Sequence, residues 1–442
     1  MIKYDKYKPS GIDWLGNIPK VWEIKRIKDI CFYVNRGTSP NYVESSNFKV
    51  INQATFSKGF LNEDNIRFTS EISNKKSYLK NKDLLIASTG GGILGKVFYF
   101  EQEEGNYIAD SHVTIIRDYK EKFVPKYFYY FFSENFKLIN EVLALGTTNQ
   151  TELQRKYLLE FEISYPTIFE QNQIVTYLDN KTLAIDKKIN ALTQKSNYYK
   201  EYRKSIINDA ICKGLENNVK LKDTELGFKV NISYNNYRLK DLGKLYSGLS
   251  GKAGDDFNQD DNIDNKGFIP FTNIANNTYL KKDHLGTVVV YENEKQNNVK
   301  KGDIFFLMSS EGYEDIGKSA ILDEDLEETY LNSFCKGFRM INKKANPYFL
   351  NYLLLSDNYR KQLIVEGKGF TRINLKMEKV NDFIVYIPTT INEQNNIVKY
   401  IDTKTQTIDM IVDNINTQVL KLKELRKTLI NDVVTGKIKV TT

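Results

Sequence analysis

EQNQIVTYLDNKTLAIDKKIN at residues 170–190 and EQNNIVKYIDTKTQTIDMIVD at residues 393–413 are two versions of one sequence, set a constant 223 residues apart. The match continues at that offset through KEYRKSIIND (200–209) and KELRKTLIND (423–432). Further echoes lie upstream in the same order. RIKDI (26–30) answers RLKDL (238–242), and NKDLLIASTGGGILGKVFYF (81–100) answers KGDIFFLMSSEGYEDIGKSAIL (301–322). A fixed period with preserved order marks a tandem duplication.

Each long copy opens with a helix-start signal. Thr167 and Glu170, like Thr390 and Glu393, stand in the T-x-x-E spacing of a capping box, shortly after Pro166 and Pro388. From there Leu178, Ile185, Leu192, Tyr199 and Ile206 recur every seven residues, and Ile401, Ile408, Ile415, Leu422 and Leu429 do the same in the second copy. That spacing predicts a heptad seam on each helix. Helices running to Gly214 and Gly436 would be about 40 residues long, roughly 60 Å at about 1.5 Å per residue. Such helices need a partner, and the matching stripes make each the partner of the other, in an antiparallel or a parallel pair. Two separate amphipathic core helices are the plainer alternative.

At 442 residues the chain is too long for one core and suits two to four domains. Charged residues make up 27% and hydrophobic ones 41%, a globular rather than a disordered balance, and 29 Tyr with 25 Phe supply many rings to pack or stack. No apolar run approaches the roughly 20 residues of a membrane span, and the opening MIKYDKYKPSGIDW lacks the apolar core of a signal peptide, so a cytoplasmic location and no membrane partner are expected. Cys31, Cys212 and Cys335 are far apart, with no CxxC and only His112 and His284 as imidazoles, which argues against both a disulfide framework and a zinc site. The net charge of +7 suits a polyanionic partner without requiring one.

Between the helices, residues 20–165 and 237–388 carry short apolar runs such as DLLIAS, KVFYF, VTIIR, DIFFLM and DFIVYI, punctuated by Gly and Asn, which read as strands. PKYFYYFFSENFKLINEVL (125–143) and NPYFLNYLLLSDNYRKQLI (346–364) read as corresponding helices, making each region mixed α/β. The scaffold motifs are shared but the loops between them differ almost completely, as expected of a duplicated reader of two different targets.

Several motifs suggest catalysis and then fail. GGGILGK (90–96) fits seven positions of the phosphate loop G-x-x-x-x-G-K-[ST], but Val97 has no hydroxyl for magnesium and leads into a strand, so a glycine turn between strands is the better reading. NPYF (346–349) resembles the N-P-P-Y of amino-methyltransferases but lacks the second proline, and reads as a helix start. His112 sits in a strand-like run and His284 in a variable loop, with no partner acid or nucleophile nearby, which points to packing or surface roles. KEYRK and KELRK read most simply as solvated helix faces, with phosphate contact the alternative.

The whole layout resembles the specificity subunits of type I restriction-modification systems. The opening YKPSGIDWLGNIPKVWEIKRIKDI (7–30) is similar to that family's start, and P-x-x-x-EQ-x-x-I helix entries stand at 166–174 and, one residue longer, at 388–397. In ELGFKVNISYNNYRLKDL (225–242) the start motif returns without either tryptophan. The resemblance implies two globular α/β target recognition domains separated by two long helices packed as a coiled-coil-like pair, with an internal pseudo-twofold repeat. Residues 1–165 would hold the start and the first domain, 166–215 the first spacer helix, 216–388 a linker and the second domain, and 389–442 the second helix and tail. It implies a non-catalytic chain that binds double-stranded DNA, two modification (methyltransferase) subunits and, in the full complex, restriction subunits. S-adenosylmethionine and ATP with magnesium would bind those partners, and no cofactor this chain.

Base reading under that resemblance calls for polar loop residues able to reach groove edges. In the first domain these are Arg36, Thr38, Asn52, Gln53, Ser88, Thr89, Thr147, Asn149 and Gln150. In the second they are Lys252, Thr272, Asn273, Ser309, Ser310, Lys368, Thr371 and Arg372. Each also has an ordinary reading as turn chemistry. Two other functions stay open at this point: a self-contained DNA methyltransferase or nuclease, opposed by the missing catalytic motifs, and a coiled-coil adaptor, which would lack salt-dependent DNA affinity.

Overall fold

Strands Leu84–Ala87 and Ile304–Leu307 are buried at every position, so both of their faces are covered and their short apolar runs mark the middle of each domain. The computed structural model describes residues 2–70, 75–90, 92–102, 106–118, 120–145, 151–259 and 262–440, with backbone alone for 136–145 and 284. Thr147, Asn149 and Gln150, and the side chain of His284, lie outside the described residues. The chain forms two compact units: Met1–Thr193 together with Thr417–Thr442, and Gln194–Asn416.

In the first unit one sheet has the order Tyr33–Arg36, Val113–Arg117, Leu84–Ala87, Val97–Tyr99, all antiparallel. Of GGGILGK, the described residues Gly90 and Gly92–Lys96 lie in the connection between these paired strands, in keeping with a glycine turn. A second sheet pairs Phe48–Ile51 with Tyr107–Ala109 in parallel and with Arg67–Thr69 in antiparallel sense. The alternation of a strand sends Leu84 and Ile86 to one core and Leu85 and Ala87 to another. The first core includes Tyr127, Phe128, Phe131 and Phe132 of helix α1, Pro125–Leu143.

The second unit repeats this plan. Its five-stranded sheet has the order Gly243–Ser247, Cys335–Met340, Ile304–Leu307, Ser319–Leu322, Tyr279–Leu280, and beside it Asn265–Ile269 pairs with Gly286–Val289 and Thr329–Leu331. Ile304 and Phe306 again face one core, Phe305 and Leu307 the other. The faint second start motif folds as the first does. A hairpin Leu221–Asp223/Lys229–Asn231 answers Tyr7–Pro9/Asn17–Pro19, and Tyr234 stands where Trp22 stands.

Two buried devices recur. Arg117 donates to Asp83 at 2.5 Å with its guanidinium over the Tyr33 ring, and Arg339 donates to Asp303 at 2.6 Å over the Tyr246 ring. Each aspartate also accepts a backbone N–H, from Lys80 and Lys300, so the buried charge is paired and hydrogen-bonded.

The second device explains the EQ pair. The long helices are α2, Ile168–Lys213, and α4, Ile391–Val434, and the second unit carries a shorter helix α3, Pro347–Leu355, between them. Gln171 is wholly buried; its amide donates to Pro166 O at 2.9 Å and accepts the Val124 N–H at 2.9 Å, tying the start of α2 to the start of α1. Gln394 donates to Pro388 O at 2.9 Å and Lys344 O at 3.1 Å and accepts the Asn346 N–H at 2.6 Å, tying α4 to α3. Asn346 caps α3 through the N–H groups of Tyr348 and Phe349, with Pro347 at its first turn, so NPYF is the helix start expected of it. Thr167 and Thr390 accept the Glu170 and Glu393 N–H groups at 3.3 and 3.2 Å, half of each capping box, and Glu170 itself accepts the Tyr4 hydroxyl at 2.5 Å.

The seam is antiparallel within each unit. In the second, Arg203 of α2 meets Asp409 of α4 at 3.0 Å, Ser196 meets Asn416, and Tyr199 and Ile206 pack with Ile408 and Val412. In the first, Arg426 of α4 meets Asp186 of α2 at 3.0 Å. Arg203 and Arg426, and Asp186 and Asp409, are related by the 223-residue repeat. The arginines of KEYRK and KELRK thus turn toward the seam, correcting the solvated-face reading: they fall at its three-and-four spacing, where a long stem can lie along apolar neighbours and keep its charge at the edge.

Gly436 ends α4 at φ +77°, where a Cβ would sit 2.4 Å from Pro19 Cδ and 3.0 Å from the Trp22 ring. Ile430, Val433 and Val434 of α4 and Ile438 beyond it join Ile18, Trp22 and Tyr127 in the first unit's core.

Candidate nucleic-acid interface

In the first unit the loops at one end of the two sheets gather most of the polar residues read from sequence. His112 lies in the turn between Tyr107–Ala109 and Val113–Arg117, not within a strand, because Asp110 accepts its N–H at 2.8 Å and turns the chain. Its exposed ring places Nδ1 2.9 Å from Thr89 Oγ1, and Thr89 reaches Gln53 Oε1 at 3.3 Å. Gln53, Thr89 and His112 therefore form one hydrogen-bonded row. Thr38 bridges to Asp110, whose carboxyl is pushed up by burial and held down in part by the His112 N–H. Nearby, Arg67 lies over the ring of Tyr42, 5.2 Å from its centroid.

Other residues of that group are engaged within the fold. Arg36 pairs with Glu152 and donates to the carbonyls of Ser88 and Leu153 at 3.3 and 3.2 Å. Ser88 is buried against Thr114 Oγ1. Asn52 caps the turn Gln53–Phe56 by accepting the Ala54 and Thr55 N–H groups.

In the second unit Ser309 and Ser310 are buried and pair with Asn374 and Ile373, and Lys252 has its ammonium on Glu294 at 2.6 Å with a side chain only 5% exposed. Thr272 is exposed on the short helix Phe271–Asn276, and the Asn273 carbonyl accepts from Asn277. Lys368, Thr371 and Arg372 are exposed together on the hairpin loop GKGFTRIN, 367–374, closed by two backbone bonds between Lys368 and Asn374. Reading polar residues alone missed the rings beside them: Phe370 at the apex is 106% exposed and Phe334, under Arg372, 47%. An aromatic flanked by glycine and cations in a loop was the available signal.

Of the seam residues, Leu178, Ile206, Ile401, Ile408 and Ile415 are buried, whereas Ile185, Leu192, Tyr199, Leu422 and Leu429 are half-buried. Leu178 and Leu429 serve the first unit's α/β core and Ile401 the second's, so the helix ends are also domain residues. Apolar side chains on the outer helix faces stay exposed: Leu183, Leu420 and Leu425 in the first unit, and Met410 with the stacked rings of Tyr198 and Tyr202 in the second.

Each unit also has a hollow where its long helix begins. The first, about 540 Å³, is lined by Arg117, Pro125 and Ile168; the second, about 480 Å³, by the corresponding Arg339, Pro347 and Ile391. Among the described residues no group of His, Cys, Asp and Glu is arranged to hold a metal, and no helix is long and apolar enough to cross a membrane.

Residues 19–194 and 231–421 match the model of the type I restriction modification DNA specificity domain. The putative type I restriction enzyme MjaX specificity subunit of Methanocaldococcus jannaschii is 22% identical over 457 residues, covering 100% of this chain and 98% of that one. Two solved structures share the fold. One, from work on complex assembly and conformational transition of the type I R-M system, has a TM-score of 0.71 at 14% identity over 95% of this chain and 99% of that one. The other, the HsdS subunit from Thermoanaerobacter tengcongensis, has a TM-score of 0.55 at 12% identity over 95% and 98%.

Proposed function

The chain belongs to the type I restriction modification DNA specificity family, and from that premise we propose that it is the DNA-reading subunit of such a complex, each unit reading one half of a bipartite, asymmetric motif. The observation that carries this reading is a contrast within the repeat. The Asp–Arg pair, the buried glutamine and the two-faced strand are the same in both units. The loop rim is not: Gln53, Thr89 and His112 in the first unit correspond to Phe271, Ser309 and Phe334 in the second. Common scaffolds with unlike rims suit two readers of unlike base sequences.

The partners are double-stranded DNA and the other subunits of the restriction-modification complex. Two modification subunits dock along the long helices, where Leu183, Leu420 and Leu425 in one unit and Tyr198, Tyr202 and Met410 in the other leave apolar surface uncovered. The repeated hollow at the start of each long helix favours two like partners over one. Methyl transfer, with S-adenosylmethionine, belongs to those subunits, and ATP with magnesium to the restriction subunits. This chain supplies recognition.

The test is to map N6-methyladenine across the genome of cells carrying this chain with its cognate modification subunit, against cells with the modification subunit alone. A new bipartite motif with a fixed spacer is expected. No new motif, with the two proteins shown to be folded and bound to one another, would instead favour an adaptor.

A further inference from the structure

Resting on the DNA-reading function proposed above, we infer that Arg372 reads a guanine in the half-site of the second unit, carried into the major groove by the hairpin loop 367–374. The loop is built to protrude and to hold its shape. Lys368 and Asn374 exchange two backbone bonds of 3.0 and 2.9 Å, and the Leu375 N–H reaches Met308 O at 2.9 Å, fastening the base of the loop to the end of the central strand. At the bend Gly369 has φ +154°, and any Cβ there would lie 1.9 Å from the Arg372 carbonyl oxygen, so the tight return requires glycine. Phe370 projects from the apex into solvent.

Arg372 is distinguished by what it lacks. The second unit has five arginines: Arg203, Arg238 and Arg339 pair with Asp409, Asp382 and Asp303, and Arg360 donates to the carbonyls of Ile316 and Glu314. Of these five, Arg372 alone has no hydrogen bond or ion pair to its guanidinium among the described residues. The group lies instead over the exposed ring of Phe334, 4.3 Å from the centroid, and Phe334 is set in its turn by the bond from its N–H to Asn332 Oδ1 at 2.9 Å. Stacking occupies the flat face of a guanidinium and leaves its in-plane N–H groups free. A planar donor fork, held but unoccupied, fits the paired O6 and N7 acceptors of guanine in the major groove. Where the second unit has Phe334, the first presents His112 bonded to Thr89, so the two rims differ in chemistry where they would differ in target.

The experiment compares the full chain with its Arg372→Gln and Phe334→Leu variants, each assembled with the cognate modification subunits, by sequencing the methylated motif. Salt-dependent DNA binding of the same assemblies is measured alongside. For Arg372→Gln the preference for guanine should fall roughly 10- to 100-fold at one position of one half-site, with the other half-site and the spacer unchanged. Phe334→Leu, which keeps the turn but removes the ring, should show a smaller loss at that same position. An unchanged motif, or a uniform weakening on all sequences with a shallower salt slope, would make Arg372 a bystander or a phosphate contact and overturn the inference. A wild-type assembly that methylates no bipartite motif would overturn the functional reading itself and this inference with it.

Discussion

Gln171 and Gln394 each tie the start of one helix to the start of another through a single side-chain amide, bonding two and three backbone groups respectively. Gln171→Leu leaves the Val124 N–H and the Pro166 carbonyl without partners beside a packed core. A cost of about 1–3 kcal/mol is expected from the stranded groups, read as a lower urea midpoint with an unchanged slope. Gln394→Leu should do the same in the second unit through Asn346 and Pro388. A midpoint that stays in place would show the amide to be dispensable. The EQ spelling was visible from the start, but its purpose was not, because the partners lie 47 and 48 residues away. The same distance effect limits the reading of the rim. Ser309 looks like a groove-facing hydroxyl and Lys252 like a free cation until strand pairing buries the one and Glu294, 42 residues on, engages the other.

At the scale of the element, the two long helices were the most legible part of the chain, since a seven-residue period depends on no distant neighbour. The polar members of the seam were not. Arg203 stands four residues after Tyr199 and three before Ile206, a core position by spacing that its charge disguises. With its repeat equivalent Arg426 it fixes which residue of α2 faces which of α4, since any shift of one turn would leave the aspartates unmatched. The pairs are half exposed, Asp186 at 46% and Asp409 at 53%, so solvent screening keeps their worth small. In a double-mutant cycle, Asp186→Arg and Arg426→Asp should each destabilise the protein, and the combined swap should recover roughly 0.5 kcal/mol of coupling. Additive effects would deny the pair any part in register.

At the scale of the whole molecule, helix length becomes a quantity the target DNA can report. Four residues inserted at repeat-equivalent points of both α2 and α4 add about one turn, roughly 6 Å, without shifting one helix against the other. Against about 3.4 Å per base pair, the unread spacer in the methylated motif should grow by one or two base pairs while both half-sites keep their sequence. A motif with its original spacing would separate helix length from target geometry. The duplication, the α/β domains and their order were all readable from repeated words. The division into units was not, because the first combines the start of the chain with Thr417–Thr442 through contacts that carry no periodicity.

That closure of the first unit by its last residues sets an order of birth. A chain leaving the ribosome presents the first unit's strands early, yet Trp22 and Tyr127 wait for Ile430, Val433 and Ile438, which follow the whole second unit in the chain. The second unit, Gln194–Asn416, is complete before them. The half of the protein made first is therefore the half finished last, and a message cut short near residue 416 would yield one sound reader beside one that never closes.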